Sequence, residues 1–248
     1  MMHVCRTWRG VLIFTRGLRT NINCSIPLQA MEFLCRSGEQ LDVFHSPKVG
    51  QGMTEPLFHA IHCDAYHLLS FKVVSGCLLL EWLLGEFAEW APKLKHLVID
   101  IDNNATGGDL PLHKPMFEGR LPKLTNLGLR YLRSNLRGFN FPSLTRFHFT
   151  TGTITPVCDL TSFFERSPLL ELTNIRLSYS PKSPTVPPKK RVRLPALREL
   201  ELHWTACTAG LFDDLILPQC EELILRGQFT GKNLDHMVAL LHKSSILY

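Results

Sequence analysis

The sequence holds 248 residues, 45% of them apolar, with 27 Lys and Arg against 22 Asp and Glu for a net charge of +5. That is enough chain to bury a sizeable core, and too mild an excess to nominate nucleic acid by charge alone. Cysteines stand singly at positions 5, 24, 35, 63, 77, 158, 207 and 220 with no C-x-x-C, which excludes a zinc ribbon or dithiol redox motif and suits the reduced thiols of a cytoplasmic or nuclear protein. The richest apolar run, CLLLEWLLGEFAEW, is broken by Glu81, Glu86 and Glu89, so it falls short of a ~20-residue membrane span. Near the start, VLIF is shorter than the roughly 7–15 apolar residues of a signal-peptide core.

The first 22 residues, MMHVCRTWRGVLIFTRGLRTNI, set Val4, Trp8, Val11 and Leu12 at helical steps with basic residues between them. The run Val4-Cys5-Arg6-Thr7-Trp8-Arg9, then Thr15-Arg16-Gly17-Leu18-Arg19 and Ile22, resembles the C-terminal half of an F-box. It departs from the family at Arg16 and Arg19, where proline and tryptophan are usual, and the leucine-proline front half of the motif is missing. The resemblance thus implies an N-terminally truncated F-box over residues 1–22. The segment IPLQAMEFLCRSGEQLDVF is similar to the stretch just C-terminal to the F-box in fungal F-box proteins with leucine-rich repeats. There a helix, here Met31 to Arg36, is capped at a glycine, here Gly38, before a strand, here Leu41 to Phe44. This sets a linker helix-strand unit at 23–60. The family resemblance implies a substrate-recognition subunit of a cullin-based ubiquitin ligase, with all chemistry left to partner subunits. It also implies docking of the ligase adaptor subunit on Val4, Cys5, Trp8, Val11 and Leu12.

Next, HAIHCDAYH brings His59, His62, Cys63, Asp64 and His67 together. No second cluster at a zinc spacing completes a ligand set, so a solvated loop is expected and no metal. DIDNNATGGD opens like a calcium loop, but Ala105 stands where glycine is needed and Pro111 where glutamate is.

From residue 61 onward a cadence takes over. It runs Leu68, Phe71, Val73; Leu94, Leu97, Ile99; Leu124, Leu127, Leu129; Leu144, Phe147, Phe149; Leu172, Ile175, Leu177; Leu197, Leu200, Leu202; Cys220, Leu223, Leu225; and it reopens at Leu247. Pro92, Pro122, Pro142, Pro168, Pro195 and Pro218 stand ahead of six of these copies, Pro168 two residues further off than the rest. A step of two puts both side chains on one face of a short strand, and the apolar residue three earlier packs where the chain turns into it. Proline is harmless at such a strand entrance. Each unit buries one side only, so units must stack.

The expected fold class is therefore α/β, a solenoid of parallel strands over 61–248. The L-x-x-L-x-L step at intervals of 20–30 residues resembles the leucine-rich repeat. That resemblance implies strands on a concave face and short helices or loops on the convex one.

Helices are predicted for CLLLEWLLGEFAEW, for DLTSFFERSP with Asp159 as N-cap, and for NLDHMVALLHKSS. Residues 103–115 read as loop. Residues 180–194 form a Pro/basic insertion whose PPKKRVR resembles a nuclear-import signal.

Residues between the buried ones must face outward. Those predicted to meet a protein target are His96, Asp100, Asn126, Arg130, Arg146, His148, Arg176, Glu199, Glu201 and Glu222. The central repeats present arginines and the later ones glutamates, a grading suited to a partner of opposite grading. The glutamates, and the lack of stacking aromatics among these positions, argue against nucleic acid. With no G-x-S-x-G, phosphate loop or dinucleotide fingerprint, no enzyme and no cofactor is expected. The alternative is a leucine-rich-repeat scaffold with no ubiquitin-ligase link.

Overall fold

The computed structural model describes residues 21–24, 26–34, 41–45, 55–75, 91–101, 110–112, 121–134, 136, 139–151, 157–177, 191–203, 211, 214–227, 235 and 238–242. The chain is α/β. Its elements in order are β1 (Asn21–Asn23), α1 (Pro27–Leu34), β2 (Leu41–His45), α2 (Glu55–Cys63), a 3-10 turn (Ala65–His67), β3 (Leu68–Ser75) and β4 (His96–Ile101). Then come β5 (Leu110–Leu112), β6 (Asn126–Arg130), β7 (Leu132–Ser134), β8 (Arg146–Thr151), α3 (Val157–Glu165) and β9 (Leu172–Leu177). The series closes with β10 (Val192–Arg193), β11 (Glu199–His203), β12 (Leu215–Ile216) and β13 (Glu222–Arg226).

One nine-stranded sheet runs β1-β2-β3-β4-β6-β8-β9-β11-β13, so its order in space is its order in sequence. Every pairing in it is parallel. β5 pairs with β7, and β10 with β12, as separate two-stranded ladders. The sheet already includes β1 and β2, so the division at residue 60 does not interrupt it. Among the described residues, no helix is long and apolar enough to cross a membrane.

The registers explain the cadence. Ile22, Val43, Phe71, Leu97, Leu127, Phe147, Thr173, Leu200 and Leu223 form one cross-strand row on the core side. Val73, Ile99, Leu129, Phe149, Ile175, Leu202 and Leu225 form the next. Nearly all these side chains are buried, Leu223 and Leu225 on the last strand only partly. Aliphatic and aromatic groups from successive strands thus cover one another, as each strand alone could not.

The proline is placed differently from expectation. The N–H of Leu94 donates to the Ala91 carbonyl at 3.1 Å, and the same bond recurs from Leu124 to Leu121, Leu144 to Phe141, Leu170 to Ser167, Leu197 to Leu194 and Cys220 to Leu217. Each proline is therefore the second residue of a β-turn, where its fixed φ favours the bend, and not a residue at the strand entrance. The residue ahead of it is buried in every case: Ala91, Leu121, Phe141, Ser167, Leu194 and Leu217. The repeat thus has one more inward position than the cadence indicated.

A second recurring bond locks one unit to the next. The Lys95 carbonyl accepts from the amides of both Thr125 and Asn126, each at 2.9 Å. Thr125 likewise serves Thr145 and Arg146, Thr145 serves Glu171 and Leu172, Glu171 serves Arg198 and Glu199, and Arg198 serves Glu221 and Glu222. The Thr125 and Thr145 hydroxyls add bonds of 3.1 and 3.2 Å to the preceding carbonyl of this series.

These two bonds correct the copy at Pro168. Its turn leucine is Leu170, two residues after the proline as elsewhere, and no residues are slipped in. Thr173 takes the slot that leucine or phenylalanine fills in neighbouring strands, and Leu172 turns to the opposite face. Thr173 is fully buried, and its Oγ1 has no hydrogen-bond partner among the described residues. A buried hydroxyl without a partner costs free energy that a methyl group would not. Thr173→Val should therefore stabilise the fold by about 1–2 kcal/mol in a urea titration; a loss of stability would mean the hydroxyl is satisfied.

On the far side of the core, α3 buries Leu160, Phe163 and Phe164 against the sheet. The Phe163 and Phe147 ring centroids lie 4.4 Å apart. Asp159 lies inside α3, which begins at Val157, and so does not cap it. The stretch with His59, His62 and Cys63 is helical, not loop. Residues 238–242 are helical as predicted. Residues 1–20 and the predicted helix at 77–90 lie outside the described residues, as does most of the basic insertion.

Candidate functional site

The sheet face opposite the core presents three cross-strand levels. At the strand-start level stand Ser70, His96, Asn126, Arg146, Leu172, Glu199 and Glu222. The middle level carries Lys72, Val98, Gly128, His148, Asn174, Glu201 and Ile224. At the strand-end level stand Val74, Asp100, Arg130, Thr150, Arg176, His203 and Arg226. All ten residues predicted from the sequence to meet a target lie on this one face, because a strand alternates its side chains and the registers hold strand to strand.

Contacts within the face decide which charges remain available. Arg130 donates from Nη1 to Asp100 Oδ2 at 3.3 Å. Glu201 sits at the centre of a cluster. Its Oε2 accepts from Asn174 Nδ2 and its Oε1 from Arg226 Nε at 2.6 Å, with His203 Nε2 at 3.7 Å from the same oxygen. Glu201 and Asp100 are thus engaged by neighbouring strands. At the strand-start level, Glu199 and Glu222 have no ion-pair partner among the described residues.

With Arg146, Glu171, Leu172, Arg198 and Glu221, these two glutamates line a shallow recess of about 480 Å³. At the strand starts Arg146 gives way to Glu199 and Glu222 along the chain, the grading expected from the sequence, whereas at the strand ends Arg130, paired with Asp100, is followed by Arg176 and then Arg226.

The imidazoles register this field. Burial pushes the His148 ring below the usual histidine range, and the Arg130 charge pushes it further, against the pull of Glu201 and Asp100. His203 is also lowered, first by burial, then by Arg176, with Glu201 opposing and Arg226 adding to the drop. His203 Nε2 thus meets Glu201 at 3.7 Å with its affinity for protons reduced. His148 Nε2 lies 3.5 Å from the Thr150 hydroxyl.

Four residues of this face lie outside the predicted target-binding set. Gly128 lets Val98 lie close, since a Cβ there would stand 3.3 Å from Val98 Cγ2. Leu172 gives the recess an apolar wall. Asn174 and Arg226 hold Glu201. Only the alternation rule could have flagged Gly128 and Leu172, once the turn at Leu170 is placed.

His59 and His62 on α2 meet edge to face with centroids 6.5 Å apart, and among the described residues no group of His, Cys, Asp or Glu side chains is arranged to hold a metal. The candidate adaptor-docking residues Val4, Cys5, Trp8, Val11 and Leu12 lie outside the described residues. No protein-family model matches the chain, and no curated protein matches it.

Proposed function

We propose that the chain is a protein-recognition module without catalytic chemistry of its own, which holds a protein target on the concave face of a leucine-rich-repeat solenoid. The observation that carries this reading is the open face of the nine-stranded sheet. Polar and charged groups from successive parallel strands stand there in fixed register, several held in place by cross-strand bonds. Charges arranged this way set the register and on-rate of a protein partner. The finer reading makes the chain a substrate-recognition subunit of a cullin-based ubiquitin ligase, and it rests on the resemblance of Val4 to Arg9 to an F-box.

The test is site-specific photocrosslinking in cells. A crosslinking residue at Asn174, on the open face, should capture a discrete protein, and the same group at Glu165, exposed on α3, should not. Equal capture at both sites would end the recognition reading. For the ligase role, the purified adaptor subunit should bind the chain and lose binding with Trp8→Ala. Capture at Asn174 without any adaptor binding would leave a scaffold with no ubiquitin-ligase link.

A further inference from the structure

We propose that Arg130, Arg176 and Arg226 form a rail for an acidic segment of the protein partner, one in polyproline II conformation with a carboxylate at every third residue. This inference rests on the protein-recognition reading and names the chemistry of the partner.

The geometry comes from the registers. The three arginines occupy β6, β9 and β13, and each is separated from the next by one strand at the same level, β8 with Thr150 and β11 with His203. Strands lie about 4.8 Å apart, so the backbone positions of the three arginines recur about every 9.6 Å across the sheet. A polyproline II chain has three residues per turn and rises about 3.1 Å per residue, so every third side chain returns to the same side after about 9.3 Å. A β-strand would put residues i and i+3 on opposite faces. A helix repeats a face at every turn, about 5.4 Å, and its nearest multiple, two turns at about 10.8 Å, overshoots the spacing.

The guanidiniums are positioned without being used up. Arg130 gives one terminal nitrogen to Asp100, Arg226 gives Nε to Glu201, and their side chains remain 45% and 60% exposed. A guanidinium has five N–H donors, so each keeps donors for an incoming carboxylate. Arg176, between them, is exposed and has no ion-pair partner among the described residues. The intervening Thr150 is short and buried among its neighbours. His203 stands between Arg176 and Arg226, and its affinity for protons is lowered first by burial and then by these two charges.

The test uses the full chain and fluorescein-labelled twelve-residue peptides in an anisotropy titration at low salt. The spaced probe is EPPEPPEPPEPP, and the control is EEEEPPPPPPPP, of the same composition and charge. The spaced probe should bind at least about fivefold more tightly, and Arg176→Ala should weaken it by about tenfold while leaving the thermal melt unchanged. Glu165→Gln, exposed on α3 behind the core, should not weaken it.

Equal binding of the two peptides, or indifference to Arg176→Ala, would overturn the rail. So would tighter binding of a dodecathymidine probe that Arg176→Ala abolishes, which would assign the arginines to nucleic acid. If the peptide fails while the Asn174 crosslink persists, the rail alone falls. If the Asn174 crosslink fails as well, the recognition reading falls with it.

Discussion

Phe147→Ala should cost about 3–5 kcal/mol in a denaturant titration, the largest loss expected from any single truncation in the described core. The Phe147 ring is fully buried between the sheet and α3. It lies 4.4 Å from the Phe163 ring and 5.7 Å from Phe149, and its cross-strand neighbours are Leu127 and Thr173. Truncation removes the ring's own burial and leaves a void that its neighbours cannot close. Thr173 is too short to reach across, and Phe163 is held on a helix whose Leu160 and Phe164 are themselves buried. Partial collapse is what makes such losses smaller elsewhere. A measured loss below about 1 kcal/mol would mean that the ring does not separate sheet from helix.

Leu200→Ala should rank second, at about 2–5 kcal/mol, and Leu223→Ala should cost clearly less. Both occupy the same slot of the cadence and pair with each other across β11 and β13. Leu200 is flanked on both sides, by Thr173 and Leu223, and is fully buried. Leu223 stands on the outermost strand of the sheet and is only partly buried. In a stacked array the interface with each neighbour carries much of the stability, so a residue with one such interface should lose less than a residue with two. Glu199→Ala, one residue from Leu200 but on the open face, should change stability by no more than about 0.5 kcal/mol. Equal losses at Leu200 and Leu223 would contradict the placement of β13 at the sheet edge.

Burial is what the cadence makes legible. Leucine and phenylalanine at steps of three and two are enough to align Leu97, Leu127, Phe147 and Leu200 in one row, because that row is a property of burial alone. At Pro168 burial misleads. The stretch LLELTNI offers a leucine in two registers, and hydrophobicity favours the more apolar of them, whereas the turn bond from Leu170 to Ser167 selects the register that buries a threonine. Hydrogen bonding of the turn overrides side-chain hydrophobicity there.

The proline's role is hidden in the sequence for a related reason. Its effect depends on a carbonyl one residue earlier, and no property of the proline itself reveals that bond.

The open face is legible residue by residue and illegible as a charge pattern. Alternation places Glu201 outward correctly. Its pairing depends on the charge of Arg226, 25 residues away, and on a hydrogen bond from Asn174. Such partners become neighbours only through the register of three strands. Gly128 has no side chain for a pattern to register, yet it sets how closely Val98 lies over the middle of the face.

The carbonyl that serves two amides in each unit has a consequence for how this surface can change over generations. That bond and the proline turn fix where each strand begins, whatever happens on the far side of the core. Successive prolines at 92, 122 and 142 are 30 and then 20 residues apart, yet the strands they introduce meet in unbroken step. Connecting chain can be gained or lost without displacing any group on the open face. Conversely, single substitutions on that face can alter its charge and shape without disturbing the scaffold beneath. Descendants of one ancestral framework could therefore diversify this surface by point mutation, while length variation accumulates out of its way.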